Sequence, residues 1–236
     1  MNLIEKINNK FCDKAYSSQK ISYSQSGEDL IVDFLLTWVL GIKEPSYIDI
    51  GAHHAYKFNN NFIFYKRGLT GIDIEPDPIL FADIAKKRPK DININKGIGS
   101  NIKNEYADFY IMSSRTLNTF SKMEAERISE EGINKIVEIK SIELININDI
   151  LCKYYSENAL DFLSIDVEGL DLEILRSIDF EKYGPKVICV ETIIFTSDRI
   201  FKKQQSTIDF LLENGYACYA DTSINSIFVR RCCLDF

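Results

Sequence analysis

The segment Tyr47-Ile-Asp-Ile-Gly-Ala-His-His54 constrains this chain more than any other. Tyr47 to Ile50 is a short apolar run, preceded by Pro45-Ser46 and closed by Gly51, and reads as a buried strand holding one carboxylate, Asp49. Such a carboxylate is costly unless something pairs with it. Gly51-Ala52 permits a tight turn and lets the backbone approach a ligand closely. His53 and His54, the only histidines, then stand at the carboxyl end of the strand. That is the edge at which open α/β sheets bind ligands.

Strand and helix signals alternate along the rest of the chain. Ser24-Gln-Ser-Gly-Glu-Asp29 offers a helix cap and an acidic first turn, followed by an apolar stripe of Leu30, Ile31, Phe34, Leu35 and Val39. The pattern predicts a helix over 60–67, a strand over 69–74, a helix over 79–87 and a weaker strand over 91–95. Further on it predicts strands at 161–167 and 186–190 with a helix over 170–177 between them. A helix over roughly 200–213 precedes an antiparallel pair at 216–219 and 226–229. Residues 100–145 have a different texture: strands at 106–112 and 136–144 flank the polar loop Ser113-Ser-Arg-Thr116 and a charged helix near 121–131. A short helix over 149–155 follows.

This alternation implies a Rossmann-like α/β fold, with a mostly parallel sheet flanked by helices and a terminal antiparallel strand pair. No internal repeat or low-complexity linker divides the 236 residues, so a single domain over 1–236 is expected. Within it, residues of about 1–45 read as an N-terminal helical cap and about 100–145 as an insertion facing the acceptor.

Net charge is −7, with the acids spread along the chain. That opposes a nucleic-acid or anionic-membrane partner, which needs a basic patch. No apolar run is long enough for a membrane span, and the first ten residues lack the apolar stretch of a signal peptide. The six cysteines include no C-x-x-C pair, which fits a cytoplasmic location, and Cys189 and Cys218 are expected to be small buried residues of strands. Asp161 is expected in a strand-start turn, Asp171 on a helix surface, and Arg115 in solvent.

Acids recur at strand ends: Asp49, Glu75, Asp166 with Glu168, and Glu191. A parallel sheet brings all of these to one edge. Glu75, roughly 20–25 residues beyond the glycine turn, suits two hydrogen bonds to a ribose diol. No G-x-G-x-x-G follows Gly51, so a pyrophosphate lacks a cradle. A cofactor with a ribose but no phosphate fits better, which points to S-adenosylmethionine.

Ser24-Gln-Ser-Gly-Glu-Asp29, Tyr47 to His54, Phe64-Tyr-Lys-Arg-Gly68, Gly71-Ile-Asp-Ile-Glu-Pro76, Leu160 to Gly169 and Pro185 to Glu191 together resemble the FkbM-type methyltransferases. The resemblance spans about residues 22–231, and Ile165-Asp-Val-Glu-Gly169 is its most specific block. It implies a class I, Rossmann-like methyltransferase fold that uses S-adenosylmethionine, usually on a hydroxyl oxygen. The acceptor it implies is a small molecule or glycan, such as a saccharide, a glycoconjugate precursor or a natural-product scaffold. On the matching motifs, Asp49, Gly51 and Glu75 become cofactor residues, and Gln25 and Glu28 close over the cofactor; Ala52 and His53, beside Gly51, are expected to contact it too. Asp166 and Glu168 face the transferred methyl and the acceptor. In many members Asn-x-Gly follows Gly-Ala, where this chain has His53-His54-Ala55.

Transfer to a hydroxyl needs a base as well as positioning. His54, or His53, is the candidate because an imidazole titrates near 6.5, with Asp166 as an alternative base or as its orienting partner. A divalent ion such as Mg²⁺ on His54, Asp166 and Glu191 would serve the same end. Two rivals stand beside this reading: a nucleotide- or NAD-dependent sugar-modifying enzyme, and a non-catalytic cofactor-binding module.

Overall fold

The buried apolar runs at 47–50, 72–74, 162–165 and 187–190 become adjacent strands of one central sheet in the computed structural model, which describes residues 19–99, 105–132, 134–155, 159–194 and 202–234. In chain order, α1 (Glu28–Phe34) continues through a π-helical turn, Leu35–Val39, to β1 (Tyr47–Ile50), α2 (Phe62–Lys66), β2 (Ile72–Ile74), α3 (Pro78–Lys87) and β3 (Ile92–Ile94). Next come β4 (Gly97–Ile98), β5 (Tyr106–Met112), a 3-10 turn at Arg115–Leu117, α4 (Lys122–Glu130) and β6 (Ile136–Ile145). The chain then forms α5 (Ile147–Tyr155), β7 (Phe162–Ile165), α6 (Asp171–Ser177), α7 (Phe180–Tyr183) and β8 (Val187–Glu191). The remaining elements are β9 (Ile193–Ile194), β10 (Lys202–Lys203), α8 (Gln205–Glu213), β11 (Tyr216–Asp221) and β12 (Asn225–Arg230).

The main sheet runs β3-β2-β1-β7-β8-β12-β11. Its first five strands are mutually parallel, and β12 is antiparallel to both neighbours. The expected mixed architecture is therefore present. Every residue of β1, β2 and β7 is buried, as strands covered on both faces must be. On one face Ile48, Ile50, Leu163, Ile165 and Val190 pack on Leu151, Ile174 and Leu175 of the α5–α6 layer. On the other, Tyr47, Phe162 and Val187 meet Val32, Leu35 and Leu36 of α1 and its π turn, and Phe64 of α2. The stretch read as an insertion builds a second, three-stranded sheet, β4-β6-β5.

Register produces a feature that no single strand announces. Asp49 lies opposite Asp73 on one side and Ser164 on the other, and Ser164 lies opposite Cys189. A polar row thus crosses the buried middle of the sheet. Its cation is Arg88, fully buried at the end of α3, with Asp73 at 3.1 Å and Asp91 at 2.6 Å. Asn59 and Asn61 donate to Asp49 and Asp73 and accept from Arg88. Buried ions persist only in such networks, because each left alone costs several kcal/mol of desolvation.

Several expectations are corrected. The segment 24–29 does cap α1 and supply its acidic first turn, Glu28 and Asp29, but the cap is Gly27, through a φ of +91°, while Ser24 bonds the buried Asp29 carboxylate. β2 is shorter than 69–74 because the Gly71 amide donates to Asp91 instead of a neighbouring strand. Asp171 is buried, 1% exposed, rather than on a helix surface. Cys218 is exposed, since it sits at the irregularity of edge strand β11. Arg115 pairs with buried Asp77. Readings that fall on residues 1–18, 100–104 and 195–201 lie outside the described residues. Among the described residues no helix is long and apolar enough to cross a membrane.

Candidate active site

The carboxyl ends of β1, β2, β7 and β8 open on a cavity of about 250 Å³ lined by Gln25, Asp49, Gly51, His53, Asp166, Glu168 and Glu191, among others. A narrower recess of about 50 Å³ adjoins it, lined by Glu75, Leu80, Phe109, Phe120 and Val167. Gly51, His53, Thr116, Asp166 and Glu168 border both. The two are halves of one site.

Glycine at position 51 is obligatory. Its φ is +82°, and a Cβ there would lie 1.9 Å from the Asp166 carbonyl oxygen. The β1 and β7 loops touch as backbone, with the Asp166 amide donating to Ile50 at 3.0 Å. Among the described residues four with side chains share this left-handed geometry, Ser223 away from the site and, at it, Phe58 at φ +54° beside two more, His53 and Glu168, each at φ +51°. These three border the cavity, and such strain collects at functional sites.

Glu75 is 5% exposed and joins two loops. Its Oε2 accepts the His53 amide at 2.8 Å and its Oε1 the Asp77 amide at 2.7 Å. Burial pushes its carboxyl up to about 7 against the pull of those amides. Asp49, whose Oδ2 accepts from Asn59 at 3.0 Å, is raised by burial to about 6, despite Arg88, Ser164 and Asn59.

The far end is acidic and carries no lining Lys or Arg. Burial, with the charges of Asp49 and Glu28, raises Asp166 to about 6. Burial and the Asp166 charge hold Glu168 and Glu191 well above the usual carboxylate range. Asp171 accepts the Val167 amide at 3.3 Å from below and is itself raised to about 7 by burial and Asp166. Environment has pushed neighbouring acids apart in proton affinity, a pattern typical of acid–base sites.

Of the ten residues predicted for catalysis or cofactor, Gln25, Asp49, Gly51, Ala52, His53, Asp166 and Glu168 line the larger cavity, and Glu75 the recess. His54 and Glu28 line neither. The His54 Nδ1 accepts the amides of Tyr56 at 3.2 Å and Lys57 at 3.0 Å, and its ring packs edge-on against Tyr56. It shapes the loop. The buried Glu28 carboxylate takes hydrogen bonds from Thr222 at 2.6 Å, Asn225 at 3.2 Å and the Ser26 amide at 2.8 Å. Burial opposes its ionisation, but those bonds outweigh it and hold its pKa below the usual value. Glu28 thus pins the Gln25 loop to the β11–β12 hairpin.

The set His54, Asp166 and Glu191 is not assembled, and among the described residues no three His, Cys, Asp or Glu side chains converge as a metal site requires. The site also uses residues that sequence reasoning passed over. Asn60 donates to Ser164 at 3.2 Å across the cavity wall, and Thr116 and Leu117 reach in from the second sheet. Ser164 left a signal, a hydroxyl inside an apolar strand, and Thr116 and Leu117 lie in the stretch read as facing the acceptor.

A model of the methyltransferase FkbM domain matches residues 49–218. This chain belongs to the FkbM family of S-adenosylmethionine-dependent methyltransferases. The matched span of this FkbM methyltransferase takes in Asp49, Glu75, Asp166, Glu168 and Glu191. No curated protein matches it in sequence. Solved structures similar to it include a TehB-like SAM-dependent methyltransferase from Corynebacterium glutamicum, with 11% identity, 96% of this chain and 97% of that one covered, and a TM-score of 0.43. Monomeric WbdD has 11% identity over 92% of this chain and 44% of its own, with a TM-score of 0.46. The Burkholderia thailandensis 1,6-didemethyltoxoflavin-N1-methyltransferase, solved with its substrate and S-adenosylhomocysteine, has 8% identity over 87% and 77%, with a TM-score of 0.40.

Proposed function

We propose that this methyltransferase transfers the methyl of S-adenosylmethionine to a hydroxyl of a small molecule or glycan, with a saccharide as the preferred class. The observation that carries the reading is the continuity of the two cavity halves, one built for a nucleoside and the other for a polar acceptor. The residues fit the cofactor. The Glu75 carboxylate suits a ribose diol, the apolar walls of Leu80, Phe109, Phe120 and Val167 suit a purine, and the acid-lined half suits a cationic sulfonium and ammonium. Bound there, the cofactor supplies an electrophilic methyl on cationic sulfur.

The chain's own residues then have separate tasks. Asp166 is the proposed base, in place of His54. Among the described residues no hydrogen-bond donor reaches its carboxylate, and a value of about 6 leaves it ionised yet basic at neutral pH. Glu168 and Glu191, held protonated, donate hydrogen bonds to acceptor oxygens. Asn60 and Ser164 orient the same region, and Phe58 and Ile224 limit its width. A polyanionic acceptor such as nucleic acid would find no Lys or Arg in the lining of this half to pair with its phosphates, which supports a neutral, polyhydroxylated one.

Calorimetric titration of S-adenosylhomocysteine, with Mg²⁺ and with EDTA, is the first test. Micromolar binding independent of metal is expected, followed by methylation of sugar hydroxyls in an acceptor panel. Absence of binding would overturn the cofactor assignment. Methylation confined to nitrogen acceptors would overturn the oxygen assignment.

A further inference from the structure

The recess beside Glu75 is narrow, about 50 Å³. Seating a nucleoside there calls for its walls to move outward. One wall is the strap between β5 and α4, which supplies Arg115, Thr116, Asn118 and Phe120.

The base of this strap is fastened. Thr119 exchanges backbone hydrogen bonds with Tyr110 at 2.8 and 3.2 Å, and its Oγ1 donates to the Glu168 carbonyl at 2.9 Å. On the other side the Ser113 amide donates to the Lys135 carbonyl at 2.9 Å. The tip, 114–118, is held differently. It rests on Asp77 Oδ2, which takes an ion pair from Arg115 and a 2.9 Å hydrogen bond from the Asn118 amide group. Asp77 Oδ1 is otherwise engaged, capping α3 through the Ile79 amide at 2.9 Å. The Asp77 amide donates to Glu75, so this single fully buried aspartate joins the helix cap, the ribose-facing acid and the strap. The Arg115 end stays one-third exposed, within reach of water and salt.

Resting on the cofactor reading above, we propose that Arg115 is a positioning residue that latches the strap tip onto Asp77 over the nucleoside end, so that cofactor enters and leaves when this ion pair opens. The pair then governs exchange rates more than affinity. Closure also brings Thr116, which borders both halves, over the junction where methyl donor and acceptor meet.

Arg115→Gln is the test, with Arg115→Lys as the conservative variant. In the protein without cofactor, hydrogen–deuterium exchange of amides 114–118 should quicken in Arg115→Gln and return toward wild type in Arg115→Lys, with β5 and α4 unchanged. Stopped-flow S-adenosylhomocysteine binding should show association and dissociation both faster by roughly two- to fivefold in Arg115→Gln, the scale of a partly exposed pair. The wild-type dissociation rate should rise with salt and that of Arg115→Gln should not. Unchanged exchange at 114–118 overturns the latch, whatever the ligand. Faster exchange with unaltered binding rates overturns its gating role. If wild type fails to bind S-adenosylhomocysteine while exchange quickens, the cofactor assignment falls, and the latch is left closing over some other ligand.

Discussion

The carboxylate of Glu75 accepts the backbone amide of His53 at 2.8 Å. Two loops that follow neighbouring strands are thereby locked together, and the proposed ribose contact would fall on the same carboxyl group.

Substituting Glu75→Gln keeps the size and one acceptor oxygen but removes the charge. Affinity for S-adenosylhomocysteine should fall by about 1–3 kcal/mol. Calorimetry beside a thermal melt separates the two roles. Unaltered affinity in a folded variant would remove Glu75 from the cofactor.

Asp166→Asn should lower turnover by roughly 10²- to 10⁴-fold while cofactor affinity holds within a few-fold. The working form of Asp166 is ionised, so wild-type kcat should decline as pH drops below about 6, and the variant should lose that limb. His54→Ala provides the contrast. Its ring lies off the cavity, so near-normal turnover is expected, with a stability loss of a few tenths to about 1 kcal/mol from the two amide bonds it accepts. A hundredfold loss in His54→Ala would return the base to His54.

Glu168 bears a side chain at φ +51°, a conformation that asparagine tolerates better. Glu168→Asn should raise stability by about 0.5–1 kcal/mol in urea melts through relief of that strain. Acceptor turnover should fall in the same protein. A variant both less stable and fully active would contradict the assignment of Glu168 to the site.

Buried acids also set the pH dependence of folding. Asp49 and Asp166 rise from 3.8 to about 6, Asp171 from 3.8 to about 7, and Glu75 from 4.5 to about 7. A carboxyl raised on folding binds its proton more tightly in the native state. Its stabilising contribution is complete below the unfolded value and disappears as pH climbs through the folded one. The protein without ligands should therefore melt higher at pH 5.5 than at pH 8, the decline that these four groups cause starting near pH 4 and ending near pH 7. Asp171→Asn should flatten the profile, and a melting temperature that rises steadily to pH 8 would refute the account.

The alternation of apolar runs made the order of strands and helices legible, along with the parallel sheet and the strand-end acids. Asp49, Glu75 and Asp166 were readable because a carboxylate ending a buried strand needs a reason to be there. Where the pattern misled, folded geometry decided the outcome, through partners near in sequence for His54 and Asp171 and distant ones for Glu28. His54 and Glu28 looked like site residues from their neighbours, but Tyr56 and Lys57 claim one and the hairpin residues Thr222 and Asn225 the other. Asp171 has the pattern of a surface helix residue and is buried because the β7 loop folds over it.

Local pattern by itself determined the α/β alternation, the glycine turn and the set of acids from which a site is drawn, because burial period and backbone permissiveness are properties of short segments. Tertiary structure alone decided which acids share a cavity, that Arg88 neutralises the polar row beneath them, and that Arg115 reaches Asp77 across 38 positions. Those outcomes depend on strand register and on desolvation. Both arise only when remote segments meet.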